Sequence, residues 1–419
     1  MDASRSDVLI LGGGVIGLAC AYYLLKSGAT VRVLEQGTPG CGSSHGNCGT
    51  ITPSHAAPLA MPGMLGVALR SMLRADAPLY LNPRFDGRRL RWLLGFARHC
   101  NWRDFEHAAH ARSAILQRSR ALLASLVRDD HLDCEFGEAG ELYVYRTERA
   151  LQADEQHHTQ VLERLGVEVQ RLRGDEVEAM EPALKSGVKG GLFHPGDARL
   201  RPDRYAAELA RRVVELGGSI ESGARIDHFG TQDGRVDHVR TTRGVFRGDR
   251  VVMALGAWSP LLGKLLDLHL PMQPGKGYSL TYTRPALAPR HALVLREASV
   301  CVTTWDSGYR LGSTMEFSGY AEGLNPTRLD ALRRGAAEGL HQPEGPQLLE
   351  EWWGWRPMSV DEVPIIGPST RWTNLHFATA HGMLGVSMSA ATGELVAAQL
   401  RGSTPPIDPS PYAPARFGV

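Results

Sequence analysis

The chain opens on a short apolar run, Val8 to Leu11, that ends in Gly12-Gly13-Gly14. From Val15 to Leu25 it is apolar almost all round, the pattern of a helix packed against a sheet, and Gly28 closes that helix. Thr30 to Glu35 then alternates and begins with β-branched residues, which predicts a second strand. The first 36 residues therefore read as one strand-helix-strand unit. From about Thr52 the pattern changes, and Pro53, Pro58, Pro62, Pro78 and Pro83 interrupt short apolar stretches until the basic, aromatic segment Arg88 to Arg103. A second domain is expected there. Beyond it, Ser113 to Val127 and Leu151 to Leu165 carry a helical period, and Glu141 to Arg146 reads as a strand.

Parallel-sheet character returns near residue 190. Pro202 opens a helix that runs through Asp203 to Leu216 and ends at Gly217-Gly218, and Ser219 to Ile226 follows as an extended segment. Arg235 to Thr241 and Val245 to Leu255, each preceded by an Asp-Gly or Arg-Gly turn, predict an antiparallel meander. Strands are expected at Tyr278 to Thr283, Val300 to Thr304 and Tyr309 to Ser313, and a helix at Arg328 to Gly339. The last stretch gives a strand, Leu375 to Thr379, a glycine loop, His381 to Gly385, a helix, Val386 to Leu400, and a proline-rich tail.

A length of 419 residues is enough for two to three domains at about 150 residues each. The 46 basic and 45 acidic residues nearly cancel, so no field favours nucleic acid, and no nucleic-acid partner is expected. Six cysteines form no CxxC pair and no zinc spacing, which argues against a disulfide framework or structural metal and fits a reducing, cytoplasmic setting. The N-terminal Met-Asp-Ala-Ser-Arg-Ser-Asp has no secretory-signal pattern, and no apolar run is long enough to span a bilayer. Glycine stands out: 47 residues, against a usual share of about 7%.

Three of those glycines carry chemistry. Gly12-x-Gly14-x-x-Gly17 follows a strand and opens a helix, as a dinucleotide-binding turn requires. Gly12 permits the tight turn, Gly14 the approach of a pyrophosphate, and Gly17 close packing of helix on strand. Val15, Ile16 and the helix N-terminus offer free N–H groups to the phosphates, and Glu35, 21 positions beyond Gly14, is placed with Gln36 to accept the ribose hydroxyls. FAD and NAD both fit this unit. The chain leaves after the second strand and returns about 150 residues later, whereas an NAD domain usually continues directly, so FAD is preferred.

Ser43-Ser44-His45-Gly46-Asn47, Ala254-Leu255-Gly256-Ala257-Trp258, Gly354-Trp355-Arg356-Pro357 with Asp361 and Pro364-Ile365-Ile366-Gly367, and His381-Gly382-Met383-Leu384-Gly385 resemble the FAD-dependent D-amino-acid oxidase and dehydrogenase superfamily. The resemblance covers nearly the whole chain. It is closest to the small-subunit type of bacterial D-amino-acid dehydrogenase, including D-hydroxyproline and D-proline dehydrogenases, through Ala56-Ala57-Pro58, Lys276-Gly277-Tyr278-Ser279-Leu280 and Arg356-Pro357-Met358. It implies an α/β fold: a discontinuous, glutathione-reductase-like Rossmann domain for FAD (residues 1–51, 190–265 and 350–419) and an α+β substrate domain with a mixed or antiparallel sheet (52–189 and 266–349). FAD would be held non-covalently. Ser43, Ser44, His45, Gly46 and Asn47 would pass along the pyrophosphate and flavin, Gly256 would close over the phosphates, and Arg225 and Ile226 would lie near the adenine. Gly382, Met383, Leu384 and Gly385 would curl around the pyrimidine edge of the flavin, where the following helix N-terminus would favour the anionic reduced ring.

The same resemblance implies oxidation of a small or cyclic D-amino acid, such as D-alanine, D-proline or cis-4-hydroxy-D-proline, by hydride transfer from Cα to flavin N5. Electrons would pass to a quinone or an artificial dye. Arg356 would hold the substrate carboxylate in a bidentate, charge-assisted pair; the alternative is a structural salt bridge with Asp361. Tyr278 is placed to touch the carboxylate and Arg310 to line the cavity, with packing or surface pairing as the alternatives. His45 and His55 are placed to accept a proton or bond the substrate, although Tyr is more usual at the position of His55. Two other readings stand: a glycine- or sarcosine-type amine oxidase that uses oxygen, weakened if Arg310 replaces the lysine some of these oxidases carry, and a flavin-carrying relay subunit of a hetero-oligomer. Arg88 to Arg98 reads either as a half-buried helix with a basic rim or as a peripheral contact with the inner membrane. Neither His107 with His110 nor His157 with His158 has the companions of a metal site.

Overall fold

Strand β1, Arg5–Leu11, crosses through helix α1, Val15–Lys26, to the parallel strand β2, Val31–Leu34. The computed structural model describes residues 5–63, 66, 79–82 and 86–419. The first four residues, Pro78 and Pro83 lie outside them. Along β1 the alternation of side chains sends Val8 and Ile10 to one face of the sheet and Leu9 and Leu11 to the other. Each set finds an apolar partner, which is why the run is apolar without interruption.

On the first face lie α1, the helix Pro202–Glu215 through Tyr205, Leu209 and Val213, and the final helix Gly385–Arg401. Because α1 is gripped between the sheet and the final helix, its residues are buried on both sides. Contact there is close: a Cβ on Gly393 would stand 2.6 Å from the Ala19 carbonyl oxygen. On the second face lies the antiparallel meander Ile226–Gln232, Arg235–Thr241 and Gly244–Met253, through Phe229, Val236, Val239 and Phe246. The last strand of that meander then pairs in parallel with β1 on one side and with Leu375–Thr379 on the other, completing an eight-stranded sheet.

A second, ten-stranded sheet is built around the antiparallel pair Met272–Tyr282 and Leu348–Ser359. Its alternation sends Leu142, Leu293, Val302 and Leu311 toward the helix Pro326–Gly339, against Leu329, Leu332 and Ala336. Glu141, Tyr143, Cys301 and Arg310, at the intervening positions, therefore face the other way, toward the first sheet.

Sheet membership shifts the expected domain limits. Gly190–His194 pairs inside the ten-stranded sheet, so the chain crosses over after His194 rather than at 190. Leu348–Ser359 also belongs there, because Trp355 and Arg356 pair with Lys276 and Gly275, so the return comes after Ser359 rather than at 350. Trp102–Asp129, a helix of 28 residues and longer than its apolar period indicates, packs Ile115, Leu116 and Leu123 into the core of the first sheet despite its position within 52–189. The helix expected over Leu151 to Leu165 is continuous from Glu148 to Arg164, widened to a π-helical turn at Glu155–Thr159.

Gly393→Ala should lower stability by about 1–3 kcal/mol, because the methyl group must push α1 and the final helix apart. A fall in Tm measured by circular dichroism checks this; an unchanged Tm would show that the helices yield freely.

Candidate functional site

One cavity of about 970 Å³ runs between the two sheets. Gly12, Gly14, Val15, Ile16, Glu35 and Gln36 line it from the first strand-helix-strand unit, and Ile226, Arg225 and Gly256 from the meander and the turn that follows. Gly12 has φ +104°, and a Cβ there would lie 2.5 Å from the Ala254 carbonyl oxygen. Gly14 and Gly256 are open instead: a Cβ on Gly14 would meet nothing nearer than Ser44 Oγ at 3.6 Å, and one on Gly256 nothing within 4 Å. A phosphate can therefore approach both backbones. Gly17 does not line the cavity; its missing side chain lets α1 sit on the Gly12 carbonyl.

Glu35 is set by the glycine turn itself, its Oε2 accepting from the Gly13 N–H at 2.7 Å and its Oε1 from the Gly37 N–H at 2.8 Å. Loop 43–47 ties the first strand-helix-strand unit to the end of the chain. Ser44 Oγ accepts from the Val15 N–H at 3.1 Å, Ser43 donates to the Trp355 carbonyl, and Asn47 Nδ2 donates to the Met383 carbonyl at 3.2 Å. Gly46 lies under Trp352, whose indole leaves no room for a Cβ. Gly382, Met383, Leu384 and Gly385 line the cavity, with Gly382 at φ +56° and no side chain capping the helix that starts at Gly385. Two helix N-termini, an open glycine backbone and a carboxylate at the end of β2 fit an extended dinucleotide such as FAD.

Arg356 lines the same cavity. Its Nη1 donates to the Thr314 carbonyl at 2.7 Å and its Nη2 to the Ser313 carbonyl at 3.2 Å, and the guanidinium lies over Gly277, where a Cβ would be 2.5 Å from Cζ. Asp361 pairs with Arg416 at 2.8 Å, not with Arg356, and among the described residues Arg356 has no carboxylate partner. Other cations of this wall are matched: Arg112 faces Glu362 at 3.5 Å, and Arg296 bonds Asp154 at 3.1 Å.

Three expected contacts are redirected by strand and loop geometry. The Tyr278 hydroxyl donates to Glu316 at 2.9 Å, because its side chain points into the core beneath Pro326–Gly339. Arg310 is buried outside the cavity lining and donates to the carbonyls of His45 and Asn47 at 2.9 and 2.8 Å, so it pins the loop instead of lining the cavity. His45 also lies outside the lining, with Nε2 2.8 Å from Glu350 Oε1.

His55 does reach the cavity, from the turn Pro53–Ala56, and belongs to a polar wall that the linear sequence did not mark. Its Nε2 lies 3.1 Å from the Tyr143 hydroxyl and its Nδ1 3.6 Å from Glu141 Oε2. His158 and His194 stack on and against Tyr143, and Ser54 donates from its hydroxyl to Asp197 at 2.5 Å. Burial, then neighbouring histidines and arginines, holds the His55 imidazole well below its ordinary range. Burial, then the Asp197 charge, pushes the Glu141 carboxyl well above its own. The one signal for this wall was a glutamate heading an otherwise apolar strand, Glu141–Tyr145. Among the described residues, no three His, Cys, Asp or Glu side chains gather as a metal site.

Residues 7–399 match the family described as FAD dependent oxidoreductase. A D-amino acid dehydrogenase of Granulibacter bethesdensis is 34% identical over 98% of this chain and 99% of its own. One from Rhizorhabdus wittichii is 34% identical over 98% of this chain and all of its own. Among solved structures, glycine oxidase from Geobacillus kaustophilus superposes with a TM-score of 0.79 at 23% identity over 98% of both chains, which shows a shared fold.

A carboxyl whose pKa is higher folded than unfolded contributes stability in acid that is lost as pH rises through its ordinary range. Glu141→Gln should therefore gain stability relative to the wild type as pH rises above the ordinary glutamate range. Parallel denaturation curves from that range upward check it; a constant difference would mean Glu141 ionises normally.

Proposed function

The chain belongs to the FAD dependent oxidoreductase family, and from that premise we propose that it oxidises a small or cyclic D-amino acid and delivers the electrons to a quinone or similar carrier rather than mainly to oxygen. The observation that carries this reading is Arg356: a cation on the cavity wall, bonded only to backbone carbonyls and matched by no carboxylate among the described residues. A substrate carboxylate supplies the missing charge, using guanidinium N–H groups that Thr314 and Ser313 leave free. The 34% identical relatives named D-amino acid dehydrogenase support the choice of a D-amino acid.

When bound, FAD supplies the two-electron acceptor for the hydride leaving Cα. The chain's own residues orient and desolvate. Arg356 fixes one end of the substrate. The polar wall of His55 and Tyr143 lies along the same cavity, and His55, kept neutral by burial and the cations around it, can accept a hydrogen bond from the substrate nitrogen. Arg112 and Arg296, on the same wall, favour the neutral amine over the ammonium.

The carrier reading is supported by the helix Gly87–His99. Its Trp92, Leu93 and Phe96 line the cavity, while Leu90 and Leu94 are 46% and 58% exposed beside Arg91. A basic, apolar outer face of this kind suits an anionic membrane surface, from which a lipophilic acceptor can reach the cavity. Among the described residues, no helix is long and apolar enough to cross a membrane.

Anaerobic mixing with a panel of D- and L-amino acids should bleach the flavin absorption with D-substrates; if D-proline, hydroxy-D-proline and D-alanine all leave it unchanged, the reading fails. Peroxide measured in air distinguishes an oxidase. Arg356→Lys should keep FAD but raise KM by about tenfold or more, since a lysine cannot form the bidentate pair. An unaltered KM would remove Arg356 from the carboxylate role.

A further inference from the structure

Two thiols meet in the cavity wall beside Arg356. Cys301, on the strand Val300–Trp305, is the cross-strand neighbour of Gly312. The space a side chain would take on Gly312 is filled by Cys48, whose Sγ lies 2.6 Å from where that Cβ would be. Side chains opposite one another on adjacent strands stand about 5 Å apart, which brings the two sulfurs together. Both residues line the cavity, and neither is in a disulfide.

The surroundings make the two thiols unequal. Cys48 sits on the loop that Arg310 pins through the His45 and Asn47 carbonyls, and it faces two guanidiniums, Arg356 and Arg310. The Cys301 thiol first, then those two charges, hold the Cys48 thiol below its ordinary range against its burial, while the same contact and burial push Cys301 up. A thiolate beside cations is the nucleophilic form. Cys20 and Cys134, by contrast, are buried in apolar core and each pushed up to about 12.

We infer that Cys48 and Cys301 form an oxidisable dithiol in the substrate end of the cavity, a modification site for hydroperoxides and other small, soft electrophiles. The Cys48 thiolate attacks one oxygen of hydrogen peroxide; the O–O bond breaks, hydroxide leaves and takes the thiol proton as water, and Cys48 becomes a sulfenic acid. The Cys301 thiol then attacks that sulfur, the S–O bond breaks, and a second water leaves as the disulfide closes. Two thiols have lost two electrons and one peroxide has gained them. Closure draws Cys48 toward the strand, which moves the loop over which Trp352 packs and alters the space in front of Arg356. The effect on turnover rests on the carboxylate role proposed for Arg356; the cross-link does not.

The holoenzyme is treated with hydrogen peroxide, its remaining thiols are blocked, and unreduced peptides are analysed by mass spectrometry. The expected first product is a Cys48–Cys301 cross-link that dithiothreitol reverses, with a fall in kcat/KM of about tenfold or more that reverses with it. Cys301→Ser should form no cross-link, let Cys48 react with a sulfenic-acid probe, and make the loss irreversible under excess peroxide. Oxidation confined to Cys41 or Cys100, with Cys48 and Cys301 both recovered as blocked thiols, would overturn the inference without need of any variant. A cross-link that leaves KM unchanged would support the dithiol and overturn the role of Arg356 instead.

Discussion

A side chain at position 17 would stand 1.9 Å from the carbonyl oxygen of Gly12, and on that close approach of helix to turn the rest of the molecule depends. It lets α1 lie directly on the sheet with its N-terminus open toward the cavity. It also lets the final helix pack on the opposite side of α1, where Gly393 meets Ala19. The Gly385 end of that final helix lines the same cavity. Two helix termini with partial positive charge are thus brought to one extended space by backbone contacts that tolerate no Cβ, and an anionic dinucleotide is the ligand such a space suits.

The second sheet contributes through its two-residue period. One set of positions supplies the apolar layer under Pro326–Gly339; the other set presents Glu141, Tyr143, Cys301 and Arg310 to the first sheet. A polar residue in a strand that is buried on both faces is costly unless it is matched, and the matching here is uneven. Arg310 finds three oxygens, on Thr281, His45 and Asn47. Glu141 finds no hydrogen-bond partner for either oxygen and is driven toward its neutral form.

Charge balance on the wall formed by the second sheet and its neighbours sets Arg356 apart from Arg112 and Arg296. Those two each face a carboxylate of the chain, at 3.5 and 2.5 Å. Arg356 is bonded to carbonyls, which orient the guanidinium but carry no full charge. The same cation bears on Cys48, whose thiol it helps hold below its ordinary range, so substrate binding and thiol chemistry draw on one charge.

The strand, three glycines, apolar helix and carboxylate at the start of the chain were legible in order, since each is a local demand: a positive φ at Gly12, a close approach at Gly17, a carboxylate at the end of a strand. The last two strands of the meander, from Arg235 on, and the helix after Gly385 were legible for the same reason, through turn residues and period; its first strand, Ile226–Gln232, was not. The domain limits were not, because Gly190–His194 and Leu348–Ser359 look alike as strands whichever sheet they join. Nor could the sequence assign Arg310 and His45, which are drawn to backbone carbonyls and to Glu350, or free Arg356 from Asp361, since Arg416 takes that carboxylate from 55 positions away. Local conformation is written residue by residue, so the sequence by itself determined the cofactor cradle. Which charge meets which, and which face of a strand sees the cavity, depends on segments far apart in the chain, and only the tertiary structure decided it.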